Sequence, residues 1–108
     1  MASPSLESLE KLVGTPRDGA LLRYSLGLEY AKAGERERAI EFLREAVARD
    51  PLYSAAWKAL GGELGESGRA DEALDAYRRG IEAAQTKGDR QAEKEMTVFA
   101  RRLEKKKT

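Results

Sequence analysis

Residues 50–80 read DPLYSAAWKALGGELGESGRADEALDAYRRG, and most of this stretch lies over the residues 34 places earlier. Leu60 and Gly61 fall on Leu26 and Gly27, Gly68 on Gly34, Ala73 on Ala39, Leu74 on Ile40 and Ile81 on Val47. Self-similarity at a fixed period in this range marks stacked supersecondary units, because a unit of that size cannot bury its apolar face alone. Within the stretch, Trp57, Leu60, Gly61 and Leu64 recur at helical spacing, as do Ala73, Leu74, Tyr77, Gly80 and Ile81. Gly68 between them suits a left-handed helix end, so the unit reads as two helices joined by a glycine turn.

Working outward, the earlier copy predicts a helix from about residue 20 to 33, with Leu22, Leu26, Tyr30 and Ala33 on its inner face, closed by Gly34. A third helix over residues 35–49 buries Ala39, Ile40, Leu43, Ala46 and Val47, and its acidic start and basic end match the helix macrodipole. Glu45 and Arg49 add an i,i+4 pair worth about 0.3 kcal/mol. Asp50 and Pro51 end it, since proline cannot continue the backbone ladder. Upstream, Leu6, Leu9, Leu12 and Val13 repeat the pattern of Ile40, Leu43, Ala46 and Val47, which predicts a half-repeat helix over residues 5–13 with Ser3 as cap and Pro4 first in the helix. Thr15 or Asp18 is expected to cap the following helix. Downstream, residues 85–89 read as the last loop. Ala92, Met96, Phe99 and Leu103 then define a capping helix over residues 89–105, one residue out of register as if the loop had gained a residue.

Composition narrows the chemistry. The 108 residues carry 20 basic and 19 acidic side chains, a net charge of +1, with the signs interspersed, which gives no general pull toward nucleic acid or an anionic membrane. There is no cysteine and no histidine. Disulfides, thiolate nucleophiles, imidazole bases and the commonest transition-metal ligands are therefore excluded. Neither a phosphate-cradling G-x-x-x-x-G-K-[ST] nor G-x-G-x-x-G occurs. Gly62, Gly65 and Gly68 imitate a glycine-rich loop only superficially, because they fall inside and at the end of a predicted helix. The expectation is a non-enzyme without metal or cofactor, and no RNA-binding protein, since the aromatics are taken up by the core. No apolar run approaches the roughly 18 residues of a membrane span, and the N-terminal MASPSLESLEKLVG has no basic region followed by an apolar core. A cytoplasmic protein with no membrane contact is expected.

The repeat resembles the tetratricopeptide repeat, whose pattern is W-x2-L-G-x2-Y, then A-x3-F, then P. The second unit supplies Trp57, Leu60, Gly61, Ala73 and Tyr77; the first supplies Leu26, Gly27, Tyr30, Ala39 and Pro51, with Arg23 in the tryptophan position and Leu43 in the aromatic one. The resemblance implies an all-α fold, an antiparallel helix-hairpin stack in a right-handed α-solenoid of about six helices. One domain over residues 1–108 would comprise the half-repeat, repeats over 20–53 and 54–87, and the capping helix.

It also implies a protein-protein interaction module, an adaptor or scaffold that holds a peptide or protein segment in a concave groove lined by the first helix of each unit. Carried onto this chain, the groove residues are Tyr24, Leu28 and Lys32, then Lys58, Gly62 and Glu66. For Tyr24 and Leu28 the other reading is packing against the terminal helices. For Gly62 and Gly65 it is a helix merely loosened at about 1 kcal/mol per glycine. A carboxylate clamp of paired lysines and asparagines is not expected, since the chain has no asparagine. The alternative function is a self-associating structural subunit stabilised by contacts between copies, in which Phe42 would serve the interface. If Trp57 is the core anchor that the repeat requires, Trp57→Ala costs about 3 to 5 kcal/mol in urea unfolding. A variant as stable as the parent would place Trp57 at the surface and break the register.

Overall fold

The structure, a computed structural model, describes residues 4–107, and the expected cap Ser3 lies outside them. The described residues form α1 (Pro4–Glu10), α2 (Ala20–Lys32), α3 (Arg36–Arg49), α4 (Ser54–Glu66), α5 (Ala70–Lys87) and α6 (Arg90–Lys107), with no strand among them. Six helices and the hairpin plan agree with the repeat. The helices fall into two compact units, Met1–Asp50 with α1 to α3 and Pro51–Thr108 with α4 to α6.

Both hairpins turn on the same device. Gly34 and Gly68 each have φ +80°, a conformation that suits glycine because it has no Cβ. At the first turn the Gly34 amide donates to the Ala31 carbonyl (3.1 Å) and the Glu35 amide to the Tyr30 carbonyl (2.9 Å). At the second, Gly68 donates to Gly65 (3.1 Å) and Arg69 to Leu64 (2.9 Å). The last carbonyls of α2 and α4 are thus satisfied, and the chain reverses within three residues.

In the first unit Leu6, Leu22, Leu26, Tyr30 and Ala39 form one buried cluster, with Leu9, Leu12, Ala31 and Phe42 packed against it. Gly27 brings α2 close to α3: a Cβ there would stand 2.7 Å from Leu43 Cγ. The Tyr30 hydroxyl donates to Glu10 Oε1 of α1 and accepts from Arg38 Nη2 at 3.0 Å, and the Arg38 guanidinium lies 4.7 Å from the Tyr30 ring centroid. The hydrogen bond to Glu10, then burial, raises the Tyr30 phenol above its usual value. The Phe42 ring stacks on Tyr30 at 5.4 Å between centroids and 7° between planes. It is therefore occupied within its own unit, which gives the expected interface between copies no support from this ring.

In the second unit Trp57, Leu60, Leu64, Ala73, Leu74, Tyr77, Ala84 and Met96 are buried. The Trp57 indole N–H donates to the Pro51 carbonyl at 2.8 Å, and the Arg79 guanidinium lies 5.9 Å from the Trp57 ring centroid. Gly61 faces Tyr77, and Gly80 faces Met96 and Trp57, where a Cβ would meet Met96 Sδ at 2.4 Å and Trp57 Cβ at 2.7 Å.

Five local expectations differ from the structure; the first is Ala33, expected on the inner face of its helix, which is exposed just past the end of α2. Helix α1 stops at Glu10, and the chain tightens through i→i−3 bonds from Leu12 to Leu9 (3.0 Å) and Val13 to Glu10 (3.2 Å) before Gly14 at φ +80°, so Val13 is 39% exposed. Gly19, not Thr15 or Asp18, occupies the cap position of α2. The Thr15 hydroxyl donates back to the Leu12 carbonyl (2.5 Å), and the Asp18 carboxylate is taken by the Gly14 amide and by Arg23. Glu45 accepts from Arg23 Nη1 at 2.8 Å, a partner across the hairpin in place of its expected neighbour Arg49. Residues 85–87 are helical, and the last loop is residues 88–89 alone. With no proline at the position matching Pro51, α5 runs to 18 residues against 14 for α3, and Gly88 at φ 74° ends it. The register shift comes from that longer helix.

Arg23 stands where the other unit has Trp57, and it replaces an apolar anchor by a polar one. It contacts Asp18 at 2.7 Å and Glu45 at 2.8 Å and lies 5.6 Å from the Phe42 ring centroid. The hydrogen bond from Arg23, then that from the Gly14 amide, lowers the Asp18 carboxyl from 3.8 to about 2. The unfolded chain accepts this proton near the ordinary value of 3.8 while the folded one resists it until about 2. This contribution to stability is complete above pH 3.8 and disappears as the pH falls through 2. Asp18→Asn is expected to be less stable than the parent at pH 7 in urea unfolding, and the gap should close by about pH 2.

Candidate functional site

Lys58, Gly62 and Glu66 recur every fourth residue of α4 and so share one face. The structure brings that face opposite α6. Between the two helices lies a cleft of about 630 Å³, lined by Lys58, Gly62, Gly65, Glu66 and Gly68 on one side and by Phe99, Arg102, Leu103 and Lys106 on the other, with Tyr77 of α5 at its floor. The Tyr77 and Phe99 ring centroids are 5.9 Å apart at 45°, which makes a continuous aromatic surface.

The charges of the cleft are placed by α6. Lys58 Nζ meets Glu95 Oε1 at 2.8 Å, and this bond from Lys58 lowers the Glu95 carboxyl below its usual value. The Arg102 guanidinium lies 6.0 Å from the Phe99 ring centroid. Near the far end, Lys107 Nζ contacts Asp71 Oδ1, which lowers the Asp71 carboxyl. Burial, then the neighbouring Glu66 charge, raises the Tyr77 phenol above its usual value.

The three site residues expected on α2 lie in the first unit. Tyr24 and Leu28 are half-buried, and Lys32 is exposed with its Nζ 3.0 Å from Glu29 Oε2. Sequence reasoning missed the α6 wall and the Tyr77 floor. Phe99 and Leu103 carried a signal, their spacing of four, but that spacing reads equally as core. Tyr77 was assigned to the core by the repeat, and its ring is there; its hydroxyl is at the cleft.

Gly62 and Gly65 differ from Gly61 in what surrounds them. A Cβ at Gly61 would fall 2.5 Å from Tyr77 Cε1, whereas one at Gly62 meets only the Tyr77 hydroxyl at 3.8 Å and one at Gly65 meets Leu103 Cδ2 at 3.6 Å. The chain's own packing requires the first glycine and not the other two. Among the described residues no group of acidic side chains could hold a metal ion, and no helix is long and apolar enough to cross a membrane.

Comparison with known proteins agrees with this architecture. The family model for the tetratricopeptide repeat matches residues 20–62. A TPR repeat-containing protein of Pseudomonas aeruginosa is 48% identical over 103 residues, which cover 95% of this chain and 98% of that protein. The chain belongs to the tetratricopeptide repeat family. Among solved structures of similar fold, a Bordetella parapertussis protein determined in solution superimposes with a TM-score of 0.81 at 40% identity, over 98% of this chain and 91% of that one. A tetratricopeptide repeat domain protein of Salinibacter ruber gives 0.75 at 30% identity, over 81% and 97%. Tetratricopeptide repeats generally mediate protein-protein interaction.

The adjacent glycines of α4 give opposite expectations within this family frame. Gly62→Ala gains helix propensity at no steric cost and should raise stability by about 1 kcal/mol. Gly61→Ala drives a methyl into the Tyr77 ring and should lower it by about 1 to 3 kcal/mol. Urea unfolding of the two variants beside the parent checks both signs.

Proposed function

We propose that the protein is a non-catalytic adaptor or scaffold of the cytoplasm that binds an extended segment of a partner protein in the cleft between α4 and α6. The observation that carries this reading is the assembly of Lys58, Gly62 and Glu66 with Phe99 and Leu103 around one cleft of about 630 Å³. That volume lies within the range of ligand pockets, about 300 to 1,000 Å³, and accommodates a few side chains of a peptide. The wall is mixed: Phe99, Leu103 and the Tyr77 edge offer apolar contact, and Lys58, Glu66, Arg102 and Lys106 offer charge. Such a combination of an apolar centre and polar rim is what a peptide needs for both affinity and register. Tyr24, Leu28 and Lys32 extend the proposal to the equivalent face of α2 in the first unit.

A library of random twelve-residue peptides selected against the purified chain tests this reading. Selected binders should lose about tenfold or more in affinity for Gly62→Leu, whose side chain fills the cleft without entering the core. Binders that hold Gly62→Leu and the parent equally well would remove the cleft as the binding surface.

A further inference from the structure

Three observations at the α4–α6 cleft converge on the chemistry of its occupant. The first is the Tyr77 hydroxyl. Tyr77 is 5% exposed, yet its hydroxyl makes no hydrogen bond to any described residue. No fully buried side-chain oxygen or nitrogen among the described residues is left without a partner, so this hydroxyl keeps some accessible surface, and Tyr77 lines the cleft. The second is the set of glycines in the wall beside it. A Cβ at Gly62 would lie 3.8 Å from the hydroxyl, and Gly62, Gly65 and Gly68 all line the cleft between the side chains of Lys58 and Glu66 and beyond them, so a partner backbone can approach that wall closely at the glycines. The third is charge. The lining has three cations, Lys58, Arg102 and Lys106, against the single carboxylate of Glu66. Lys58 is already paired with Glu95, whereas Arg102 and Lys106 have no carboxylate partner among the described residues.

Resting on the interaction reading above, we propose that the cleft recognises a side-chain carboxylate, from a glutamate or aspartate flanked by apolar residues in an extended partner segment, which accepts a hydrogen bond from the Tyr77 hydroxyl and pairs with Arg102 and Lys106. The phenol, with an ordinary value of 10, is a donor at neutral pH, and burial only raises its proton affinity further. A carboxylate completes its unused bonding capacity and offsets the surplus positive charge, and hydrogen bonds to ionised acceptors are the stronger class. Gly62, Gly65 and Gly68 give the partner backbone room beside and beyond the hydroxyl, and the proposal takes the carboxylate from an internal side chain. Phe99 and Leu103 then contact the flanking apolar residues. Glu66 opposes the ligand charge and limits affinity.

The test uses fluorescence anisotropy with C-terminally amidated peptides that alternate leucine with glutamate, with glutamine or with lysine. The glutamate peptide should bind the parent chain, with the glutamine peptide about tenfold weaker and the lysine peptide weaker still. Tyr77→Phe keeps the ring against Gly61 and Phe99, so its circular dichroism and unfolding midpoint should match the parent while the glutamate peptide loses about tenfold in affinity. Arg102→Gln with Lys106→Gln should weaken the same peptide, and Glu66→Gln should strengthen it. Equal binding of the glutamate and glutamine peptides, undiminished binding by Tyr77→Phe, or binding only when the peptide terminus is a free carboxylate would each overturn the proposal. If library peptides occupy the cleft while the glutamate peptide shows no advantage, the acidic preference is wrong and the interaction reading stands. If no library peptide is sensitive to Gly62→Leu, both are wrong.

Discussion

In each hairpin a glycine on the first helix lies against a large side chain of the second, Gly27 against Leu43 and Gly61 against Tyr77. The rest of each unit depends on that contact. A glycine in a helix interior costs about 1 kcal/mol relative to alanine, and the cost is offset only because the missing methyl lets the facing helix approach and fill the space. Ala39 and Ala73, small residues at the same repeat position on the facing helices, are completely buried. Where α5 meets α6 the arrangement recurs: the glycine, Gly80, is again on the earlier helix and the filling side chain, Met96, on the later. The same physical solution is kept while the residue types move.

That contact also positions the candidate site. Tyr77 is fixed by its ring against Gly61, and a ring held there carries its hydroxyl to the α4–α6 cleft beside Gly62. Core and site thus share one residue. Of the three interior glycines of α4, Gly61 serves packing, and Gly62 and Gly65 line the cleft beside Lys58 and Glu66. Neither position is closed by the chain's own packing: a Cβ at Gly62 would lie 3.8 Å from the Tyr77 hydroxyl and one at Gly65 3.6 Å from Leu103, both ordinary contacts.

The units solve one position differently. Trp57 is held by burial and one bond to the Pro51 carbonyl, whereas Arg23, at the same place in the repeat, is held by Asp18, Glu45 and the face of Phe42. The apolar anchor depends on exclusion of water and is indifferent to pH, while the polar anchor depends on an ionised carboxylate. The two halves of a repetitive chain therefore respond differently to acid.

Much of this was legible in the residues. The 34-residue period, the helical spacing of Leu60, Leu64, Leu74 and Tyr77, and the glycines at 34 and 68 determined the all-α class, the hairpins and their turns, because each rests on local geometry or on which face of a helix a residue occupies. The same logic placed Lys58, Gly62 and Glu66 on one face. Helix ends were less legible where a weak break, such as Gln85 to Lys87, competed with propagation of an existing helix. Partners across helices were decided only by tertiary structure. Lys58 meets Glu95 from 37 residues away, Glu45 turns from its neighbour to Arg23, and the Tyr77 hydroxyl opens between Gly62 and Phe99. Periodicity gives the direction of a side chain from its own helix axis; what stands opposite depends on how helices distant in sequence pack, and that distance is set by which small residue receives which large one.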